Sequence, residues 1–278
     1  STYTMTALKP IVAEKASGLR NIMAHGIVYI VTGLAILPQL VVVYTSFLRS
    51  NGGQVFTGGY ALQSYEATLF AKDNTVIWNT YFLGIVAIAI VLVMGVIIAY
   101  LSVRKKNLLN SILDTVTMFP FIIPGSVLGI SFLFAFNSPP IVLSGTALIM
   151  IISFAIRRMP YTVRSSVAAL GQISKNVEEA AISLGASDLT TFRRITLPMM
   201  MPGVLAGAIM SWVTIISELS SSIILYTTAN QTLTVSIYTE VIRGNYGNAS
   251  AYATILALTS ILSLLIFFKL TGRRDISI

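Results

Sequence analysis

The chain has 278 residues, of which 55% are hydrophobic and 10% are charged, and its formal net charge is +8. Soluble domains carry roughly 25% charged residues, so this composition is typical of a membrane protein. The sequence has no cysteine and a single histidine, His25, which excludes disulfides and thiolate metal sites and argues against a histidine-based metal site or catalytic triad.

Six segments are long and apolar enough to cross a membrane, since a spanning helix needs about 20 mostly apolar residues. Their apolar runs are continuous rather than alternating, which favours helices over a β-barrel. We therefore predict an all-α, polytopic membrane protein with a single transmembrane domain over residues 1–278. The predicted spans cover about residues 24–48, 76–103, 112–136, 141–158, 200–226 and 251–270.

The basic residues are distributed unevenly between the two sides of these spans. With the N-terminus inside, 15 of the 18 Lys and Arg residues lie at or beyond the inner ends of the spans, and only Arg49, Lys72 and Arg243 lie outside. The positive-inside rule places both termini and a loop of about residues 159–199 in the cytoplasm. The +8 charge is then mainly a topology signal, and nucleic-acid binding is the weaker interpretation.

The third predicted span contains Pro120, Pro124 and Gly125. Because each proline lacks a backbone donor, this run predicts a kink or a break. Broken helices at membrane depth are tolerated where they line a cavity, and a purely structural kink is the alternative. At the end of the fourth span, Arg157 and Arg158 are expected to anchor the helix at the inner interface.

The predicted loop contains the run EAAISLGASDLTTFRRITLP at residues 179–198. Asn176 followed by Glu179 has the spacing of a helix N-cap with an acidic third residue, which predicts a short helix over about 177–184. Gly185 is placed to end this helix, because glycine accepts a positive φ at little cost.

A second short helix is predicted after the glycine. Ser187 and Asp188 can start it, and Pro198 is expected to close it and open the fifth span. The small side chains of Ala180 and Ala181 would let the apolar face of the first helix approach a partner's groove closely. An amphipathic hairpin at the membrane surface, without a partner, is the alternative.

This run resembles, position for position, the EAA motif of bacterial ABC importer permeases, in which a cytoplasmic loop docks on an ATPase subunit. Its place between spans is the context that such a short motif requires. The resemblance implies the type I ABC importer permease fold and a role in ATPase coupling for seven residues. These are Glu179, Ala180, Ala181, Gly185, Ile195, Leu197 and Pro198.

The same resemblance implies partners. The chain would form half of a translocation pore in the lipid of the bacterial inner membrane, completed by a second permease subunit or lobe. Two ABC ATPase subunits would bind the EAA loops and hold ATP and Mg²⁺, while this chain would carry no cofactor or metal and catalyse no reaction. A periplasmic or lipid-anchored binding protein would meet the outer segments 49–75 and 227–250, the second of which contains a predicted helix over about 232–243.

The region from Glu218 onward is similar to the branch of this family that handles ferric iron, polyamines, phosphonates and sugar phosphates, and the similar pattern covers about residues 76–270. Ferric iron ranks first as cargo, and a sugar phosphate, a phosphonate and a polyamine are the alternatives. The opening STYTMTALKP is similar to the linker before the second half of fused, two-lobed permeases. A trimmed N-terminal tail is the other interpretation of that segment.

Glu218 is the one acidic residue deep inside a predicted span. A charged side chain at the bilayer centre costs at least ~2.5–3.5 kcal/mol, so Glu218 is expected to face the bundle interior, a partner or water. Helical spacing places it on one polar face with Thr214, Ser217, Ser221 and Ser222. We predict that this face lines the translocation path or a gate, with Glu218 favouring a cation or gating through a hydrogen bond. Alternatively, the hydroxyls join packed helices and Glu218 makes a structural bond.

Two other classes of function compete with the permease. An ion-coupled carrier or channel would need charged or broken-helix sites in paired repeats, and the sequence shows no convincing internal repeat. A membrane-embedded enzyme would need a recognisable cluster of catalytic residues, which the sequence also lacks.

Overall fold

The computed structural model describes residues 17–49, 58–70, 75–105 and 107–271. Within these ranges the regular secondary structure is helical. The described residues contain no β-strand, only an isolated antiparallel bridge between Leu48 and Tyr60. Several parts of the sequence analysis fall outside the described residues. They are the opening STYTMTALKP, Gly52 and Gly53 of the outer segment 49–75, and the basic residues Lys9, Lys15, Lys72, Lys106, Arg273 and Arg274. The helices are α1 (Leu19–Ser46), α2 (Gln63–Leu69), α3 (Val76–Arg104), α4 (Leu108–Ile122), α5 (Gly125–Ala135), α6 (Ala147–Gly171), α7 (Lys175–Ser183), α8 (Asp188–Thr191), α9 (Leu197–Ile216), α10 (Ser222–Leu225), α11 (Leu233–Ile242) and α12 (Tyr246–Thr271).

Four of the described helices are long and apolar enough to cross a membrane: α1, α3, the continuous stretch of α8 and α9, and α12. α4 and α5 pass the same test as a pair, bent by 110° at the break between them, and would give a fifth span. The described residues thus give four or five candidate spans rather than the six predicted, because the predicted fourth span falls on α6, which carries Arg157, Arg158 and Arg164 and does not pass the test. α6 lies between α3 and α9, so its charged side chains can contact protein rather than lipid.

Two predicted boundaries differ from the structure. α6 continues through Pro160 to Gly171, so the segment expected to be a loop from residue 159 begins only after that glycine. A proline inside a membrane helix is tolerated where neighbouring groups satisfy the freed carbonyl. The fifth span was expected to reach residue 226, but α9 ends at Ile216 and the chain leaves helical geometry before α10.

The core lies where α3, α6 and α9 meet. Leu83, Ile149 and Ile215 are almost completely buried in one cluster. Leu170 and Met200 belong to a second cluster nearer the EAA run. Because lipid is as apolar as these side chains, close packing rather than the hydrophobic effect has to stabilise the helix pairs.

α6 and α9 pack in backbone contact through glycines four residues apart on α9. A Cβ added to Gly207 would lie 2.7 Å from the Cα of Thr162. Ser165 Oγ donates a hydrogen bond of 2.6 Å to the carbonyl of Gly203, and the hydroxyls of Thr162 and Ser211 lie 2.9 Å apart. Small residues and interhelical hydroxyl bonds of this kind are the usual means by which membrane helices associate.

Candidate functional site

The EAA segment, residues 174–198, begins with a cap that differs from the predicted one. Ser174 rather than Asn176 is the N-cap of α7, and its hydroxyl accepts a hydrogen bond of 3.3 Å from the backbone N–H of Asn176. α7 therefore starts at Lys175, two residues before the predicted start near 177. Serine and asparagine are nearly equivalent caps, so composition alone could not choose between them.

A tight turn at Gly185 separates the two helices of the segment. Gly185 has φ +91°, a conformation that suits glycine. Its N–H donates to the carbonyl of Ile182 at 2.9 Å, and the N–H of Ala186 donates to the carbonyl of Ala181 at 3.1 Å. These two bonds form a Schellman motif, which satisfies carbonyls at the end of α7. Ser187 then caps α8.

The sequence predicted that Pro198 closes the second helix, but the helix continues through this residue. A π turn over Phe192–Thr196 joins α8 to α9, and within it the N–H of Leu197 donates to the carbonyl of Phe192. Proline lacks an N–H and its ring crowds the carbonyl four residues earlier, so a wider turn lets the helix continue through it. α8, the π turn and α9 form one helix of 29 residues that ends at Ile216.

Glu178, which the sequence analysis did not select, fastens the EAA segment to the rest of the chain. Both of its carboxylate oxygens lie 3.1 Å from Nε of Arg104 at the end of α3, and Thr196 Oγ1 donates to Oε1 at 2.9 Å. Arg104 Nη2 also donates to the carbonyl of Ile173 at 2.9 Å. The Arg104 and Glu178 side chains are 7% and 14% exposed. α7 is thereby tied both to α3 and to the π turn.

The predicted coupling residues differ in their exposure. Glu179, Ala180 and Pro198 are exposed, whereas Ile195 and Leu197 are half-buried. Glu179 thus points away from the bonds that Glu178 makes, and its side chain is accessible to a partner.

The predicted docking face on α7 requires one correction. Ala181 is 8% exposed and is buried by its own chain, so its small side chain permits close packing within the fold rather than against a partner. The most exposed apolar side chains of the segment are instead those of Leu184 and Leu189, which are 90% and 64% exposed. An apolar surface of this kind on a short helix fits insertion into a groove.

A second group of residues joins α6 to the chain beyond α9. Arg157 Nη1 lies 2.7 Å from Glu218 Oε1, and Arg158 Nη2 donates to Oε2. Their side chains are 13%, 16% and 2% exposed in the order Arg157, Arg158 and Glu218. We refer to these three residues as the charged cluster. Removing one partner of a buried ion pair typically costs about 3–5 kcal/mol, so the cluster holds α6 firmly to this region.

The charged cluster corrects two expectations from the sequence. Arg157 and Arg158 do not anchor α6 at an interface, because they turn inward toward a carboxylate 60 or more positions away. Glu218 is occupied by both guanidinium groups, so its site has one more positive than negative charge. This balance does not favour the cation that was expected there.

Two interruptions of helical geometry meet at the charged cluster. Glu218 lies in the non-helical stretch between α9 and α10, not inside a span. The α4–α5 bend follows Pro120, which stays within α4, and Pro124 is the N-cap of α5. A Cβ added to Gly125, the first residue of α5, would lie 1.7 Å from Arg157 Nη1. The glycine therefore makes the space that the guanidinium group fills.

The predicted polar face around Glu218 does not exist as one helical surface, because α9 ends too early. The Ser221 N–H and hydroxyl donate to Glu218 Oε1 at 3.1 and 3.4 Å, and Ser222 Oγ donates to the Glu218 carbonyl at 2.9 Å. The hydroxyls of Thr214 and Ser217 donate to carbonyls of their own helix. These hydroxyls hold the helix break in shape.

Comparison with known proteins covers most of the chain. Residues 91–274 match the family described as "Binding-protein-dependent transport system inner membrane component". The chain is 34% identical over 194 residues to the ferric transport system permease protein FbpB of Actinobacillus pleuropneumoniae, a match that covers 70% of this chain and 28% of that protein. It is 31% identical over 225 residues to the molybdate/tungstate transport system permease protein WtpB of Pyrococcus furiosus, with coverage of 77% and 85%.

A solved structure has the same fold. A chain in the crystal structure of a bacterial ABC transporter involved in the import of the acidic polysaccharide alginate superposes with a TM-score of 0.71, at 14% identity, over 92% of this chain and 97% of that one. The chain spans less than a third of the length of the ferric relative. The match to the family covers more than half of the sequence and confirms the resemblance found in the EAA run. The chain belongs to the binding-protein-dependent transport system inner membrane components, the permeases of ABC transporters.

Proposed function

We propose that this chain is the membrane-spanning subunit of an ATP-binding-cassette importer and forms half of its translocation pore. The observation that carries the proposal is the EAA segment, an exposed helix–turn–helix that is tied to α3 by Glu178 and continuous with α9. A second permease subunit or lobe would complete the pore within the membrane lipid. A substrate-binding protein would deliver the cargo to the opposite side.

The proposed orientation puts the EAA segment and both chain termini in the cytoplasm. The distribution of Lys and Arg supports it through the positive-inside rule. An ABC ATPase dimer would bind the EAA segments there, and ATP and Mg²⁺ would be held by the ATPase. This chain would contribute no catalytic residue to hydrolysis.

The proposed mechanism is alternating access, and the attachment of the EAA segment supports it. ATP binding would close the ATPase dimer and draw its two bound EAA segments together. Since α7 is fixed to α3 and α8 continues into α9, the displacement would move these packed helices as a body. The pore would open toward the binding protein, and hydrolysis would reset it toward the cytoplasm.

Ferric iron is the cargo that we propose. Support comes from the relative at 34% identity, whose name specifies ferric transport. Uptake of radioactive iron by the assembled transporter should require ATP and should persist when ion gradients are dissipated. Uptake that collapses with the gradient and ignores ATP would favour an ion-coupled carrier instead.

Gly185→Arg tests the docking site, and Gly244 provides a matched control. Both glycines follow a helix C-terminus, have positive φ values of +91° and +78°, and face open space. At each site the glycine N–H donates to the carbonyl three residues earlier, and the N–H of the next residue donates to the carbonyl five residues before it. Gly185→Arg should abolish co-purification of the ATPase while the chain still inserts, and Gly244→Arg should retain it. Normal ATPase recovery with Gly185→Arg would overturn the proposed docking site.

A further inference from the structure

The charged cluster has an excess of positive charge that the chain does not neutralise. Two guanidinium groups contact one carboxylate, and among the described residues no other acidic side chain forms an ion pair with either arginine. Asp114 of α4 forms its ion pair with Arg164 and not with either arginine of the charged cluster. The Nε atoms of Arg157 and Arg158 are buried and have no hydrogen-bond partner in the part of the chain that the structure describes.

The N-terminus of α5 adds a further positive end to this site. α5 has 11 residues, and no side chain caps its first turn. Its first N–H groups have no acceptor within the helix and carry the positive end of the helix dipole. Gly125 places this end against the Arg157 guanidinium group. Two positive groups in contact within a membrane protein are favourable only when an anion or water lies close to them.

The charged cluster is not completely buried. The arginine side chains keep 13% and 16% of their surface exposed. Ser217 and Ser220 beside them are exposed, and the Ser220 Cβ lies 2.6 Å from where a Gly125 Cβ would stand. A ligand that reached this rim would meet guanidinium donors, a serine hydroxyl and the end of α5.

We propose that Arg157, Arg158 and the N-terminus of α5 bind an oxyanion group of the cargo, with Glu218 as the internal counter-ion that competes for the same guanidinium groups. The planar guanidinium fork matches oxyanions through paired N–H donors. This inference rests on the proposed importer function and specifies the charge of what passes through it. The oxyanion is either the cargo itself, such as phosphate or molybdate, or the anionic ligand of a ferric complex.

Equilibrium binding to the purified transporter tests the site. This chain, assembled with its ATPase in lipid nanodiscs without nucleotide, is titrated calorimetrically with inorganic phosphate, molybdate and ferric citrate. Arg157→Lys and Arg158→Lys keep the charge but lose the fork, so each should weaken the binding of the preferred anion by about tenfold or more. Binding of phosphate or molybdate identifies a free oxyanion, and binding of ferric citrate alone identifies a ferric complex.

Two further variants make the result specific. Arg164→Lys alters a paired arginine of the same helix outside the charged cluster, and it should leave the Kd within about twofold. Glu218→Gln removes the competing carboxylate and should tighten binding. The site is rejected if none of the three anions binds the parent transporter, or if the Arg157 and Arg158 variants bind as Arg164→Lys does. The same preparations report ATPase recovery, so loss of the anion site and loss of the importer assignment are distinguished.

Discussion

Arg104 and Glu178 are 74 positions apart in the sequence, yet Nε of the arginine lies 3.1 Å from both oxygens of the carboxylate. The EAA segment is therefore held by buried side-chain bonds as well as by the chain on either side of it. Glu178→Gln weakens these bonds, and Arg104→Gln leaves the carboxylate without its cation. We expect each change to lower stability by about 1–3 kcal/mol, because a charged hydrogen bond is lost. Melting of the purified transporter measures this.

Transport should suffer more than assembly in these two variants. The ATPase should still co-purify, because the exposed surface of α7 is unchanged, but the number of cargo molecules moved per ATP should fall. Glu179→Gln, at the exposed neighbouring position, is the control and should leave the melting temperature unaltered. Equal loss of stability in Glu178→Gln and Glu179→Gln would contradict the anchoring role of Glu178.

Gly207→Ala should destabilise the α6–α9 pair. The added methyl would lie 2.7 Å from the Thr162 Cα and 2.9 Å from the Tyr161 carbonyl oxygen, so backbone has to move. Overpacking of this kind costs about 1–3 kcal/mol. Gly171→Ala, which meets nothing within 4 Å, is the matched control. The melting temperatures of the two variants should differ clearly, and an unchanged value for Gly207→Ala would show that α6 and α9 are less tightly packed than described.

Leu184→Asp should weaken ATPase binding by at least about tenfold. Its side chain is 90% exposed at the end of α7, and a buried leucine at the centre of an interface contributes about 2 kcal/mol or more. A pull-down with graded ATPase concentrations gives the affinity. Ile242→Asp near the end of α11, where the side chain is 69% exposed, should leave that affinity unchanged. Equal affinity of the Leu184→Asp variant and the parent would exclude this leucine from the interface.

Thr80→Val should loosen the start of α11. The Leu233 N–H donates to Thr80 Oγ1 at 2.8 Å, and Thr80 is 3% exposed. Valine keeps the shape but leaves a buried donor without an acceptor, which costs about 1–3 kcal/mol. Hydrogen exchange at the Leu233 amide should accelerate by about fivefold at the low end of that range and more above it. Thr115→Val, at an exposed threonine that bonds only to its own helix, should leave that exchange rate as it was.

Features of the fold that depend on a few neighbouring residues could be predicted from the sequence. Pro124 and Gly125 predict the break that separates α4 from α5, and the positive φ of Gly185 follows from its place at the end of a predicted short helix. The outer helix expected over about 232–243 is α11, at Leu233–Ile242. In each case the restriction on φ, the missing N–H or the apolar spacing belongs to the residues themselves.

Contacts between distant segments could not be predicted. Consecutive arginines near the end of an apolar run have the pattern of interface residues, and only the three-dimensional packing brings Arg157 and Arg158 to Glu218. Glu178 and Arg104 are paired in the same way across α3 and α7. Pro198 was misinterpreted for a different reason, since a π turn offers a way past a proline that sequence patterns do not reveal.

The unbroken helix from Asp188 to Ile216 has 29 residues, which corresponds to a rod about 43 Å long at 1.5 Å per residue. A rigid tilt of about 10° about one end of such a rod would move the other end by about 7 Å. The docking surface lies at its start, and Glu218 follows its last residue by two positions. In the proposed importer, a change in the tilt of this one helix would therefore couple ATPase docking near its start to the charge pairing just beyond its end.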